Sequence, residues 1–341
     1  MYTDLTTAKL KAEILAGDRV ELSSAVLAKH KPVFDNHHHT AWIFVKLTDV
    51  SRVRLTAVET GRNATFLLDE EDDTYILRYK DSHKLVAQIL SIESEAVHAP
   101  EQLFLGIYEY CKIGCVFCPL SKYTQRTHYS LDDIYKDIDD CEGKFSSIGI
   151  TTSVPHNLSS EDVADEMIFL TRKIKEKVGE SIPIGVSSKI PSKTKMIELK
   201  AAGASEIRLN YEVANPVLSE QLMPNKNQQE ILRALELAVE VFGANYVSSN
   251  ILIGIGESDD DILSCVEMLA RKGIITTLYP YDSFETNSEI VRSFSRPTAE
   301  RLLMLAIRHR DIFIKYGLKP QNLKTMCPAC AASHLYPGRD L

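Results

Sequence analysis

The chain has 341 residues, 44% hydrophobic and 25% charged, with a formal net charge of −8 and no basic block, which argues against a nucleic-acid binder and for an enzyme-sized chain of one large domain and a smaller one. The segment Met1 to Asp18 carries Asp, Lys and Glu among its apolar residues and no run of about 18 apolar residues occurs, so neither a signal peptide nor a membrane span is expected and the protein is placed in the cytoplasm. Seven cysteines, five of them in two short groups, point to metal binding in a reducing compartment and away from a disulfide framework.

From Thr6 to Ala16 the apolar positions fall at helical spacing, and Gly17-Asp18 ends the pattern as a helix stop does. Ser23 to His30 reads as a second short helix. The turn-rich segment that follows holds His37, His38 and His39. Three consecutive residues cannot all face one ion on regular structure, so it reads as a solvated loop, with a ligand or substrate contact as the alternative. Trp42–Val45, Val53–Val58, Ala64–Leu68 and Thr74–Tyr79 are short β-prone runs at hairpin distances. They predict a small antiparallel sheet in an accessory α+β domain over residues 1–99, with its boundary at His98-Ala99-Pro100.

From Gln102 onward short apolar runs alternate with amphipathic segments, the pattern of repeated βα units on a parallel sheet. Strands are expected at Leu103–Tyr108, Ser147–Thr152, Ile182–Ser187, Glu206–Tyr211, Tyr246–Gly254 and Ile274–Tyr279. Helices are expected at Leu131–Glu142, Ser160–Val178, Lys193–Ala202, Gln228–Phe242 and Asp259–Arg271, with Thr298–Tyr316 closing the series. The prediction is an α/β fold, a partial (β/α)6 TIM-type barrel over residues 100–320, followed by a cysteine-containing tail over 321–341. In such barrels the chemistry sits at the C-terminal ends of the strands.

The loop after the first barrel strand, Tyr110-Cys111-Lys112-Ile113-Gly114-Cys115-Val116-Phe117-Cys118-Pro119, has three thiols at C-x3-C-x2-C spacing. Thiolates suit iron–sulfur chemistry, and three of them on a four-iron cluster leave one iron open for a ligand that is not protein. A zinc knuckle, which wants a fourth ligand, and buried free thiols are the alternatives. Three further groups fall at strand ends or beyond. They are Thr151-Thr152-Ser153, then Asn210 with Glu212, then Asn250 to Glu257 with Gly254 and Gly256. The tail adds Cys327 and Cys330 with Ser333 and His334, and ends Pro337-Gly338-Arg339-Asp340-Leu341. Cys141 and Cys265 lie in helical patterns and read as buried small hydrophobes. Tyr279, Tyr281, Arg292 and Arg296 are substrate-contact candidates by position alone.

The C-x3-C-x2-C loop with an aromatic before the last cysteine resembles the signature of the radical S-adenosylmethionine (SAM) superfamily, and the groups on later strands resemble its biotin-synthase and lipoyl-synthase branch. The resemblance implies a [4Fe–4S] cluster on Cys111, Cys115 and Cys118, SAM chelated to the open iron, and Phe117 near the adenine. Thr151, Thr152 and Ser153 stand where the family has a Gly-Gly-Glu motif and would accept from the methionyl ammonium. Asn210 and Glu212 resemble an Asn-x-Asp pair that holds the ribose, Glu being one methylene longer than the usual Asp. The run Ser248 to Glu257 resembles the segment beside the adenine, with Gly254 and Gly256 where a Cβ would obstruct close approach. The tail is similar to a C-x2-C-x2-C tail of that branch, with Ser333 in place of the last cysteine. Serine and arginine serve as auxiliary-cluster ligands there, so Ser333 or His334 would complete a second [4Fe–4S] cluster, the rivals being a zinc site, a redox pair or a remnant.

What the resemblance implies is reductive cleavage of SAM to a 5′-deoxyadenosyl radical and hydrogen abstraction from a substrate carbon, with sulfur insertion as the expected outcome. Carbon–carbon bond formation, rearrangement or methylation is the alternative, and a non-catalytic iron–sulfur or zinc scaffold is the rival of another class. A small-molecule or acyl-carrier substrate and a ferredoxin or flavodoxin reductant are the expected partners, with no nucleic acid and no membrane.

Overall fold

The structure, a computed structural model, describes residues 5–32, 40–93, 97–99, 101–108, 110–118, 120, 129–189, 192–281 and 289–341. The chain divides into two units, one of residues 1–95, 296–310 and 331–341 and the other of residues 96–295 and 311–330. The segment His37 to His39 lies outside the described residues.

The first unit opens with α1 (Leu5–Gly17), β1 (Arg19–Leu22) and α2 (Ser24–His30), then β2 (Thr40–Lys46), β3 (Arg52–Val58), β4 (Phe66–Glu71), β5 (Thr74–Tyr79), β6 (Leu85–Ile89) and β7 (Ser91–Glu93). Ser23 caps α2, its hydroxyl accepting from Val26 N. The sheet runs β6-β5-β4-β1-β3-β2-β7 and is mixed, which corrects the antiparallel expectation: β1 lies parallel to both β3 and β4. A four-residue strand between two helices carries too little alternation to be read from sequence, yet it holds the centre of the sheet.

The second unit contains β8 (Val97–Ala99), β9 (Glu101–Gly106), α3 (Leu131–Asp140), β10 (Phe145–Thr151), α4 (Ser160–Val178), β11 (Ile184–Ser187), α5 (Lys193–Ala201) and β12 (Ala204–Arg208). It continues with α6 (Pro216–Leu222), α7 (Gln228–Phe242), β13 (Val247–Ile253), α8 (Asp259–Ala270), β14 (Ile275–Pro280) and α9 (Glu289–Arg292). Helix α10 (Ala299–Lys315) and the short α11 (Met326–Cys330) complete the chain. Strands β9 to β14 are parallel and lie in sequence order, with β8 antiparallel on the β9 edge. The sheet is a curled half-barrel, the partial TIM-type architecture. Ser130, Ser159 and Ser258 close capping boxes with Asp133, Asp162 and Asp261 and start α3, α4 and α8.

Alternation along the strands sorts the sheet into two faces. Leu103, Leu105, Ile148, Ile150, Ile184, Val186 and Ile207 are buried on the aliphatic face. The other face carries small and polar residues in register: Gly149 is level with Phe104 and Gly185, and Thr151 with Ser187, Arg208 and Ser248. One pleat further toward the C-terminal ends stand Asn210, Asn250 and Thr277. The segment Lys324 to Cys327 lies across the start of this inner face. Gln102 exchanges bonds with the Met326 backbone, at 2.7 Å from Met326 N and 3.3 Å to Met326 O, and the Glu206 carboxylate accepts from Lys324 N and from Thr325 N and Oγ1. At Gly185 a Cβ would lie 1.9 Å from Thr325 Oγ1, so only glycine admits the segment there.

Candidate functional site

Hydrogen bonds fix the cysteine loop to the segment after β10, to α6 and to the turn that follows it. Lys112 N donates to Val154 O (2.9 Å), Val116 N to Leu222 O (2.9 Å), and Asn225 Nδ2 to Ile113 O (3.0 Å). Gly114 turns the loop at φ +73°, a conformation that suits glycine. The Ser153 hydroxyl donates between Tyr108 O and Tyr110 O, so this residue, expected at the methionyl ammonium, also anchors the chain entering the loop. Thr152 Oγ1 donates to Ser153 O (3.0 Å).

Cys111, Cys115, Cys118 and Phe117 pack in one apolar cluster with Val154, Val213, Leu222, Leu252, Ile255 and Tyr281, drawn from the ends of β10, β12, β13 and β14 and from α6. Tyr281 OH donates to Phe117 O (3.3 Å), and its ring meets Phe294 edge-on. Tyr279 packs against the same cluster, so both tyrosines belong to the surroundings of the cysteine loop. Burial pushes the Cys118 thiol up to about 11 and raises Cys115 as well. Opposing this, the Lys226 ammonium lies within the field of all three thiols and acts to lower the Cys115 pKa. Burial alone would lower the Lys226 pKa, but Glu212 and the thiols outweigh it and raise it. Lys226 was not among the residues singled out from sequence, and only the turn after α6 brings it to the loop.

Glu212 lies four residues beyond β12, within the field of Lys226, Cys115 and Cys118. Its backbone pairs with β13, N to Asn250 O (2.9 Å) and O from Leu252 N (2.7 Å), at φ +66°. A glutamate in the left-handed region is strained by roughly 1–3 kcal/mol and persists because the pairing on both sides imposes it. Asn210 Oδ1 accepts from Asn250 N (3.3 Å), leaving its amide N–H groups for a ligand.

Gly254 and Gly256 have φ of +95° and +104°. At Gly256 a Cβ would meet Leu218 only at 3.8 Å, an ordinary contact, so backbone conformation and not crowding by the protein requires glycine. The turn is locked by buried Glu257, whose carboxylate accepts from Gly254 N (2.9 Å) and Ile255 N (2.8 Å).

The tail cysteines fall in the barrel unit, three residues apart on α11. Cys327 Sγ accepts from Arg208 Nη1 (3.0 Å) and Asn250 Nδ2 (3.6 Å) on the inner face. Ser333 and His334 belong to the other unit. There His334 is 1% exposed, rests edge-on against Tyr336 and lies in the field of Lys11, Arg54 and Arg339, with its pKa held well below the usual value by burial first and by those cations. Arg296 also sits in that unit, donating to Leu15 O (2.7 Å) and pairing with Asp18 (3.1 Å). Cys265 is buried, its thiol pushed up to about 12, in keeping with a core role.

The residues of the cysteine loop fit a [4Fe–4S] cluster: three thiols on one turn, a dry apolar wall, and an ammonium to offset the anionic charge. Among the described residues no three His, Cys, Asp or Glu side chains gather around one point as a single-ion site requires. A cluster takes its thiolates on separate irons. Among the described residues no helix is long and apolar enough to cross a membrane.

A search of curated proteins found no match to the sequence. Among solved structures, methylornithine synthase (PylB) is similar with a TM-score of 0.52 at 16% identity, covering 62% of this chain and 62% of that one. HydG, a maturase of the [FeFe]-hydrogenase, is similar with a TM-score of 0.51 at 16% identity, covering 63% of this chain and 50% of that one. The match thus spans about three fifths of the first structure's length and half of the second's, and at this identity it establishes the half-barrel fold alone. Residues 105–269 match the family model of the radical SAM superfamily, a span that starts in β9, takes in the cysteine loop and ends in α8. Motif, fold and family model meet on the same strands, and the radical SAM superfamily match is confined to residues 105–269.

Proposed function

We propose that the protein is a radical SAM enzyme that cleaves SAM reductively and removes a hydrogen atom from a substrate carbon on the inner face of the half-barrel. The observation that carries this is the convergence of Cys111, Cys115, Cys118, Glu212 and Lys226 at the C-terminal ends of the strands. When bound, a [4Fe–4S] cluster would supply the electron that breaks the sulfonium bond of SAM. The three thiols would hold the cluster, and Lys226 would offset its charge. Glu212 would accept from the ribose diol while the Asn210 amide donates to it, and Thr151 at the end of β10 with Thr152 after it would meet the methionyl end. Phe117 and the Gly254-to-Gly256 turn would border the adenine. The apolar wall excludes water, which a carbon radical requires. A ferredoxin or flavodoxin is the reductant class that suits such a site.

The test is anaerobic reconstitution with iron and sulfide, addition of SAM and dithionite, and assay for 5′-deoxyadenosine. Wild type should form it. Formation by the Cys111→Ala/Cys115→Ala/Cys118→Ala protein would overturn the assignment.

A second reading, sulfur insertion, rests on the Cys327 thiol standing on the inner face beside Asn250. It requires Cys327 and Cys330 to hold a second [4Fe–4S] cluster. The Cys327→Ala/Cys330→Ala protein should then hold about half the iron and release no sulfur-bearing product while still forming 5′-deoxyadenosine. Wild-type iron for one cluster only would remove this reading and leave the first intact.

A further inference from the structure

Two glycines in register leave a bare strip on the inner face of the half-barrel. Gly149 on β10 is level with Gly185 on β11, and Gly185 with Glu206 on β12. A Cβ at Gly149 would lie 2.9 Å from the Phe104 ring and 3.2 Å from Gln102 Oε1, and a Cβ at Gly185 would lie 1.9 Å from Thr325 Oγ1 and 2.7 Å from Thr325 Cβ. Gly185 is not among the glycines with positive φ, so it is room for Thr325, and not backbone conformation, that requires glycine there.

The strip is filled by the segment Lys324 to Met326, and the strands hold that segment mainly by its backbone. Glu206 accepts from Lys324 N (2.6 Å), Thr325 N (3.2 Å) and Thr325 Oγ1 (2.6 Å), while Gln102 accepts from Met326 N (2.7 Å) and donates to Met326 O (3.3 Å). Gln102, Glu206, Thr325 and Met326 are all buried. Burial pushes the Glu206 pKa up, and its bonds to Thr325 and Lys324 oppose that. A buried carboxylate is costly unless donors satisfy it, and among the described residues the donors to Glu206 all come from the tail.

Three rows of the inner face follow toward the strand ends: Arg208 level with Ser248, Asn250 with Thr277, and Leu252 with Tyr279, the last pair packed around the cysteine loop. At two residues a row they rise roughly 20 Å from the Glu206 level. The cysteine loop bounds this span at one end. At the other end the boundary is the tail and not a strand side chain.

We infer that the segment Lys324 to Met326, positioned by Glu206, is the floor of the chamber that holds the substrate, so that the tail sets the length of substrate accepted. The class selected is a compact molecule lying wholly between the tail and the cysteine loop. Gly185 is the specificity-determining position, because any side chain there displaces the floor. The inference rests on the radical SAM reading for the use of the inner face by the substrate.

The experiment measures chamber length in the full chain with 1-alkanols from ethanol to 1-decanol, titrated by saturation-transfer NMR. Each methylene that finds room tightens binding about fourfold, and the series stops gaining where the floor is reached. Gly185→Ala drives Thr325 off the strip. The Thr325 and Met326 amides should then exchange with solvent at least tenfold faster, and the stopping point should move out by two or more carbons. Thr325→Gly in the same chain removes the clash and should restore both readings. Glu206→Gln, which replaces one acceptor oxygen by a donor, should move them in the same direction and carries the test should Gly185→Ala not fold. No stopping point in wild type, amides that exchange no faster in either single variant, or a stopping point that stays in place when they do, overturns the inference. A stopping point that moves as expected in a protein that forms no 5′-deoxyadenosine would instead remove the radical reading and leave the floor standing.

Discussion

At the scale of single residues, the site divides into groups fixed by neighbours in sequence and groups fixed by approach in space. Cys111, Cys115 and Cys118 were legible because one loop carries them. Glu212 was legible because it follows a strand. Lys226 was not, since a lysine in a polar turn comes to face the thiols only when other elements close on it. The charges of Glu212 and Lys226 give two predictions. Glu212→Gln removes the charge and one of the two acceptor oxygens for the ribose diol at nearly constant shape, and SAM should bind roughly 10–100-fold more weakly, as expected for loss of a charge-assisted hydrogen bond, with iron content unchanged. Equal dissociation constants by calorimetry would show that the segment after β12 does not meet SAM. Lys226→Met removes the cation facing the three thiols, so the cluster's reduction potential should fall in a spectroscopic redox titration, because net charge near a cluster sets its potential.

At the scale of elements, periodicity identified the βα units because each strand and helix repeats its pattern over enough residues to be counted. Capping boxes at Ser130, Ser159 and Ser258 sharpened the starts of α3, α4 and α8. Strand β1 escaped because four residues carry no countable alternation. The Gly254-to-Glu257 turn was recognised from its glycines, but the residue that locks it is Glu257. Replacing Glu257 by Ala leaves two buried N–H groups unsatisfied, each costing about 1–3 kcal/mol. The Glu257→Ala protein should lose a few kcal/mol in chemical denaturation and bind SAM more weakly, whereas an exposed control such as Glu161→Ala should change stability by less than about 0.5 kcal/mol.

At the scale of the whole molecule, a linear reading assigns each stretch of sequence to one domain, but the chain does not fold that way. Residues 296–310 and 331–341 join the N-terminal unit, so the tail is shared between units, Cys327 and Cys330 in one and Ser333 and His334 in the other. Non-local pairing of this kind leaves no periodic trace. It does leave buried titratable groups. His309 is fully buried and its imidazole is pushed down to about 3, so it stays neutral in the fold while the unfolded chain protonates near 6.5. The stability tied to it is present above about pH 6.5 and is lost as pH falls toward 3, about 2 kcal/mol by pH 5. His309→Leu should flatten the dependence of the unfolding free energy on pH between 7 and 5 by about that amount.

The ending Pro337-Gly338-Arg339-Asp340-Leu341 shows how the same unit holds its C-terminus. Lys11 and Asp340 are both 0% exposed and lie 2.8 Å apart, Lys11 also donating to Ala331 O, and Asp340 accepting from Ser51 Oγ (2.9 Å) and Tyr336 N (2.8 Å). A buried pair of this kind contributes little net stability relative to apolar residues of similar volume, because desolvation offsets the attraction, but removing one partner strands the other. Lys11→Met or Asp340→Leu alone should therefore cost about 3–5 kcal/mol. In the Lys11→Met/Asp340→Leu protein no charge is stranded, and it should recover a large part of that loss, giving a coupling of at least about 2 kcal/mol in a double-mutant cycle measured by denaturant unfolding. Additive single losses would mean that the ion pair does not join α1 to the C-terminal segment, and that the Asp340 bonds to Ser51 and Tyr336 hold it alone.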